Sequence, residues 1–179
     1  MATIRGGAKL EGYLRELSAK VGKGATVKVG FLEGATYPDG TPVAMVAAIQ
    51  NFGAPSRGIP PRPFFNQLIA DHAASWGPAT AKLLESNKFD VDMTLAQVGQ
   101  GIEGQLRQEI VDMNAPALSN VTLILREFYW TNPQDIRGRD VVAARELSKE
   151  GYVPNGVSTK PLVWTGHMLN SISSEVVTA

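Results

Sequence analysis

The sequence has no cysteine among its 179 residues, and this absence excludes disulfide bonds, thiolate zinc sites and cysteine nucleophiles. Seventeen basic and seventeen acidic side chains cancel, which argues against a protein that binds nucleic acid through bulk positive charge. No apolar run approaches the length of a membrane span, and the N-terminus lacks the apolar stretch of a signal peptide. We therefore expect a protein that does not bind a membrane and that folds in a cytoplasm.

Motifs of familiar catalytic and metal sites are also missing. The sequence has no G-x-S-x-G, no H-E-x-x-H and no EF-hand loop. Its two histidines, His72 and His167, lie far apart in the sequence. His72 falls on the apolar face of a predicted helix, a position typical of a packed histidine, with a general base as the alternative. Asp90 and Asp92 suit a helix start better than a metal site. We predict no catalytic residue, no cofactor and no metal.

The composition is that of an ordinary globular protein, with 44% hydrophobic and 19% charged residues. Residues 25–32 and 171–178 alternate apolar and polar side chains and predict two short strands. We predict a single α+β domain over residues 1–179, in which several helices pack on a small antiparallel sheet. An inserted or extended region is expected at 119–156. Because both strands are short, further strands or neighbouring subunits are candidates to complete the sheet.

Apolar residues at helical spacing predict helices along most of the remaining chain. The predicted helices span residues 8–21, 43–52, 63–76, 79–85, 90–113, 140–149 and 166–170. The strongest is the long amphipathic helix at 90–113, because its apolar residues recur every three or four positions. Gly77-Pro78 predicts a kink or break, and Thr41 a cap for the helix that follows it. The run 121–130 suits either a strand or a helix, and we favour a helix.

A proline-rich connector separates two of these helices. Residues 53–65 are Gly-Ala-Pro-Ser-Arg-Gly-Ile-Pro-Pro-Arg-Pro-Phe-Phe. Pro60, Pro61 and Pro63 lack backbone donors and hold φ at about −65°, and each disfavours a helical conformation for the residue before it. The sequence therefore predicts a stiff, extended connector that turns into a helix at Pro63.

The surroundings of the connector indicate a contact surface. The helix before it, at 43–52, is apolar nearly all round, which is typical either of the most buried helix or of a subunit interface. Arg57 and Arg62 have two interpretations. They provide solubility and a local salt bridge, or they contact carboxylates of a partner protein.

A glycine run at 99–104, Gly-Gln-Gly-Ile-Glu-Gly, matches the G-x-G-x-x-G pattern of dinucleotide-binding folds. In those folds the pattern follows a strand and opens a helix, so that backbone amides reach a pyrophosphate. Here the run lies in the middle of the helix predicted at 90–113. We interpret the glycines as permitting close helix contact or a bend, and keep a nucleotide-binding enzyme as the alternative of another class.

Three separated pieces of the sequence form an ordered set. The first is Val-Lys-Val-Gly-Phe-Leu at 27–32, followed by the turn Tyr-Pro-Asp-Gly-Thr at 37–41. The second is the apolar helix ending in Asn-Phe-Gly at 51–53, which leads into Ile-Pro-Pro-Arg-Pro-Phe-Phe at 59–65. The third is Lys-Pro-Leu-Val-Trp-Thr-Gly-His-Met-Leu-Asn-Ser-Ile at 160–172. In this order the pieces resemble the tail-completion, or head–tail joining, proteins of long-tailed bacteriophages. The sequence departs from that family at Trp164, where an acidic residue is common, and in the longer stretch 121–155.

The resemblance implies a structural protein of the virion neck, not an enzyme. It implies a homo-oligomeric ring of six-fold or twelve-fold symmetry that connects the head connector to the tail and is assembled in the host cytoplasm. The implied partners are copies of the chain itself and the phage connector and tail proteins. DNA passes through the lumen of such a ring without sequence-specific binding. A tail-terminator or minor tail protein is the nearest alternative, and a module bound by SH3-type domains through its prolines is another.

We expect the connector to supply contacts with neighbouring subunits or partners. The residues of this predicted interface are Arg57, Ile59, Pro60, Pro61, Arg62, Pro63, Phe64 and Phe65. On this interpretation, Arg62→Glu leaves the monomer folded and prevents head–tail joining.

Overall fold

The structure, a computed structural model, describes residues 7–22 and 24–178. Within them the chain has the predicted α+β fold, with seven α-helices and a two-stranded antiparallel sheet. The elements are α1 (Gly7–Val21), β1 (Ala25–Gly30), α2 (Val43–Phe52), α3 (Phe64–Ser86), α4 (Val91–Asp112), α5 (Asn120–Phe128), α6 (Gly138–Lys149), α7 (His167–Asn170) and β2 (Ser173–Thr178). Short 3-10 turns lie at Pro55–Arg57 and Pro133–Asp135.

The sheet joins an early and a late segment of the chain. β1 and β2 pair antiparallel, with Ala25 opposite Thr178. Side chains alternate along β1 as the sequence predicts: Val27 is half-buried and Lys28 is exposed. In the part of the chain that the structure describes, this sheet has two strands, so each strand has one edge without a strand partner.

Helix α4 covers one face of the sheet, and Gly99 lies at that contact. A Cβ atom at Gly99 would lie 2.7 Å from Ser174 Oγ and 3.0 Å from Val27 Cγ2. Gly101 and Gly104 face open space instead. The run therefore permits close packing of helix on sheet through one glycine, as predicted. It lacks the strand–turn–helix context that a dinucleotide fingerprint requires.

The core lies between α2, α3, α4 and the C-terminal segment. Helix α4 agrees with the helix predicted at 90–113 to within a residue at each end, and Asp90 Oδ1 accepts a hydrogen bond from the Met93 amide at 2.9 Å. This cap satisfies a backbone donor that the first helical turn leaves free. The buried residues of the main apolar cluster are Val43, Ala47, Phe64, Leu68, Leu106, Ile110, Leu162, Met168 and Ile172.

The sequence predicts a kink or a break at Gly77-Pro78, and helix α3 runs without a break through Pro78, so the prediction of a break is wrong. Proline removes one backbone hydrogen bond from a helix interior, but packing can hold the helix together across the defect. Here the Trp76 indole donates to Gln105 Oε1 of α4 at 2.8 Å. The Thr80 hydroxyl donates to the Trp76 carbonyl at 2.7 Å. These bonds lie on both sides of Pro78 and anchor the helix there.

Two predicted caps are placed differently in the structure. The residue directly before α2 is Pro42 and not Thr41, and this helix has no side-chain cap. The Thr41 amide donates to Asp39 Oδ1 at 3.0 Å. Helix α6 begins at Gly138, two residues before the predicted start. Asp140 still caps it, because its Oδ2 accepts from the Arg137 amide at 2.7 Å.

The region at 119–156 contains two helices that pack against each other, α5 and α6. Residues 121–128 of the run 121–130 lie in helix α5, so the favoured prediction is confirmed for them and the strand alternative is wrong. Ser119 Oγ accepts from the Thr122 amide at 3.2 Å and begins the helix.

Helix α1 matches the amphipathic helix predicted at 8–21, but its Tyr13 and Leu14 side chains are exposed. None of the helices that the structure describes is long and apolar enough to span a bilayer.

Candidate functional site

The connector begins as a small closed loop and only then runs extended. Gly53 ends α2 at φ 77°, and a Cβ atom there would lie 2.8 Å from Pro61 N. Ala54 and Ile59 exchange two backbone hydrogen bonds, of 2.8 and 3.1 Å, which close the loop around the turn at Pro55–Arg57. The prediction of a stiff extended segment therefore applies to the prolines after Ile59 and not to the first half.

Asn51 fixes the angle between the connector and helix α3. Its side chain is buried, and its Oδ1 accepts from the Phe65 amide at 3.0 Å and the Asn66 amide at 3.4 Å. Those amides belong to the first turn of α3, where backbone donors lack helical partners. Because Pro63 has no side-chain acceptor, Asn51 of α2 caps α3 from a distance. The sequence analysis missed this role.

Arg62 lies inside the chain, with 5% of its surface exposed. Its Nη1 donates to Gln50 Oε1 at 3.0 Å, and its Nε and Nη2 both donate to the Pro116 carbonyl at 3.3 Å. Burial lowers the pKa of its guanidinium below the ordinary value. The interpretation that gives Arg62 a role in solubility and a local salt bridge is therefore wrong. Phe64, which is 1% exposed, is likewise a core residue.

The other residues of the predicted interface lie at or near the surface. Phe65 and Ile59 are half-buried, whereas the exposed ones are Arg57, Pro60, Pro61 and Pro63. They remain candidates for contacts with a partner.

Helix α2 exposes large apolar side chains next to the connector. Phe52 is 68% exposed and Met45 is 50% exposed, while Val43 and Ala47 face the core. α2 therefore has one apolar side that packs in the core and another that is exposed. A cavity of about 330 Å³ adjoins this surface and is lined almost wholly by apolar side chains of β1, α2 and α3. We call it the α2 groove, and its lining includes Val29, Phe31, Ala48, Phe52 and Phe65.

A second cavity lies where the three pieces of the ordered set meet. It has a volume of about 310 Å³ and lies between the turn after β1, helix α2, helix α5 and the segment 161–168. The His167 ring packs on Tyr37 at a centroid distance of 4.7 Å, and its Nε2 lies 2.9 Å from the Thr36 carbonyl oxygen. We call this cavity the Arg126 groove. Its lining includes Tyr37, Gln50, Arg126, Trp164 and His167.

Arg126 holds the C-terminal segment in place and was not identified from the sequence. It is 3% exposed, and its guanidinium lies 5.3 Å from the centroid of the Trp164 ring. Burial, and then the nearby charge of Arg62, lower its pKa from the ordinary value to about 10. Its two terminal nitrogens donate to four backbone carbonyls at 2.8 to 3.1 Å, those of Ser158, Lys160, Pro161 and Val163.

The histidine considered as a general base is paired with a carboxylate on the next helix. His72 Nε2 lies 3.6 Å from Glu109 Oε1, between α3 and α4. The adjacent Asp71 accepts from Gln67 Nε2 at 3.3 Å. Over the ranges 7–22 and 24–178, no group of three or more acidic, histidine or cysteine side chains is arranged to hold a metal ion.

Comparisons of this chain with protein-family models, with characterised proteins and with solved structures gave no match. Its function is therefore inferred from the sequence resemblance and from the surfaces described above.

Proposed function

We propose that this chain is a structural subunit of the neck of a long-tailed bacteriophage, where copies of it form a ring that connects the head connector to the tail. The observation that carries the proposal is the exposed apolar face of α2, which adjoins both the α2 groove and the connector. Contiguous exposed apolar surface of this kind is typical of a protein contact.

Two further features favour an assembly. Each strand of the short sheet has an open edge in the described part of the chain, and such edges are sites where a neighbouring chain can pair. Helix α1 exposes Tyr13 and Leu14 on its amphipathic surface. A head-to-tail contact joins two different surface patches of the same chain. The α2 groove and the exposed side of α1 are two such patches. Head-to-tail contacts that close generate rings.

Charge is consistent with a ring around passing DNA. The chain is neutral overall, with seventeen basic and seventeen acidic side chains. A strongly basic lumen would hold the duplex through its phosphates and slow its passage. A neutral subunit suits a channel through which DNA moves without sequence-specific binding.

The replacement Phe52→Glu tests the contact. Because the Phe52 side chain is mostly exposed, the variant keeps its fold, and its thermal unfolding midpoint should stay close to that of the wild type. A buried charge at the contact should weaken assembly by about 2 kcal/mol or more. Sedimentation of the chain with the connector and tail proteins encoded beside it measures the assembly.

Val142→Glu is the matched control, since Val142 is an exposed apolar residue of α6, away from α2. We expect this variant to assemble like the wild type. Equal assembly of both variants would contradict the assignment of the contact to α2. If the chain instead caps isolated tails without the head connector, the tail-terminator alternative gains support.

A further inference from the structure

Two buried arginines lie at the Arg126 groove: Arg126 lines it, and Arg62 donates to Gln50, which also lines it. Arg62 and Arg126 are both almost fully buried. Among the side chains that the structure describes, no carboxylate lies within 4.0 Å of either guanidinium. Backbone carbonyls and Gln50 solvate the two groups, but they carry no net charge. Burial of an unpaired charge is costly, and an anion close to it reduces that cost.

The groove also has donors without acceptors. Arg126 Nε and Trp164 Nε1 are buried and have no hydrogen-bond partner. Buried polar groups in folded proteins nearly always have one. Both residues line the same cavity, so an acceptor group that enters it and displaces the two side chains enough to reach these nitrogens would supply the missing bonds and an opposite charge.

The size and walls of the groove select the kind of anion. A volume of about 310 Å³ is that of several water molecules or an amino-acid side chain with adjoining backbone. Much of the wall is apolar, including Val46, Pro133 and Leu162, which suits the stem of a side chain. Asp39 also lines the groove and accepts a hydrogen bond from the Thr41 amide, and its negative charge disfavours an extended polyanion such as DNA more than a single carboxylate.

We propose that the Arg126 groove binds a carboxylate on an acidic peptide segment of a neighbouring protein. Arg126 supplies the charge, together with Arg62, which is bonded to Gln50 of the groove wall, and the Trp164 indole supplies a hydrogen-bond donor. The neighbour's identity as another neck subunit or neck protein rests on the proposed function, whereas the carboxylate chemistry does not.

The indole N–H signals of the three tryptophans provide a direct readout by nuclear magnetic resonance. Trp76 donates to Gln105 and Trp130 is 55% exposed, so both serve as internal controls. The full-length chain is titrated with glutamate capped at both ends, with capped glutamine and with inorganic phosphate. We expect capped glutamate to shift the Trp164 signal saturably, in the millimolar range, and to leave the other two unchanged.

Three outcomes would overturn the proposal. The first is no saturable shift of Trp164 with capped glutamate, and the second is an equal shift with capped glutamine. The third is a stronger response to inorganic phosphate than to capped glutamate, which would point to nucleic acid instead of an acidic peptide.

Gln50→Glu supplies the carboxylate from within the chain. Its Oε1 position already accepts from Arg62 Nη1, so the replacement places a negative charge there with little change in shape. We expect a higher thermal unfolding midpoint than in the wild type and loss of the Trp164 response. The control Gln100→Glu, at an exposed position of α4, should change neither. A thermal unfolding midpoint of Gln50→Glu lower than that of the wild type would show that Arg62 and Arg126 have no unmatched positive charge, and it would contradict the proposal.

The proposed ring and the proposed carboxylate binding in the Arg126 groove can be contradicted independently. A Trp164 response in a chain that never assembles supports the groove and contradicts the ring. A chain that assembles while Trp164 does not respond contradicts the groove alone.

Discussion

Two buried arginines donate hydrogen bonds to backbone carbonyls that lie outside regular secondary structure. Residues 158–163 belong to neither a helix nor a strand, so their carbonyls lack regular partners. Arg126 bonds four of them, because a planar guanidinium presents five donors in a fixed arrangement. Arg62 does the same on a smaller scale, joining the connector to α2 and to the Pro116 carbonyl.

At the residue scale, this burial reverses the expectation for Arg62→Glu. The new carboxylate would face Gln50 Oε1 and the Pro116 carbonyl, both acceptors, in a buried site. We expect a loss of about 3 kcal/mol or more in the free energy of unfolding, measured by urea denaturation. Arg57→Glu, at an exposed position of the same connector, should change it by no more than ~0.5 kcal/mol. Equal stability of the two variants would contradict the buried position of Arg62.

The sequence predicted the residues of the connector that act locally, and not those that act at a distance. Proline and glycine restrict or free their own backbone, so Gly53 and the prolines could be interpreted without a structure. Arg62 bonds a carbonyl 54 residues away, and Arg126 bonds carbonyls 32 to 37 residues away. No local pattern encodes such pairs. The same holds for Asn51, which caps a helix it does not belong to.

At the element scale, helix α4 organises the fold because it contacts both α3 and the sheet. Its glycines provide a matched test of that packing. Gly99→Ala places a Cβ atom within 3.0 Å of atoms of both Ser174 and Val27, so we expect destabilisation by about 1–3 kcal/mol. Gly101→Ala meets open space and should stabilise the chain by roughly 0.5–1 kcal/mol, because alanine favours the helix.

Urea unfolding midpoints of the two variants measure the difference. Stabilisation by Gly99→Ala would show that α4 does not lie as close to the sheet as described. A loss of stability in both variants would mean that the whole run faces packed atoms.

Long periodic elements were predictable from sequence, and defects within them were not. The spacing of apolar residues predicted α4 because its pattern continues over 22 residues. The nine residues of α5 are too few to separate helix from strand by periodicity alone. Pro78 predicted a kink or break in α3 because a proline removes a backbone hydrogen bond at its own position. The hydrogen bond from Trp76 to Gln105, which anchors the helix, joins two different helices and could not be predicted from the local sequence.

At the scale of the whole molecule, the surfaces suited to assembly lie around the connector. The α2 face is apolar and exposed beside the prolines of the connector, and the Arg126 groove is recessed and contains a buried guanidinium. An apolar contact of this kind supplies affinity, whereas a recessed charge selects a partner with an acidic group. A ring subunit that must recognise both its own copies and other neck proteins needs both.

Native mass spectrometry tests the central claim most directly. The 19.2 kDa chain is measured alone and mixed with the connector and tail proteins encoded beside it. We predict a closed complex that contains six or twelve copies of the chain in at least one of the two samples. A chain that remains a monomer or a dimer in both samples would contradict the proposed ring.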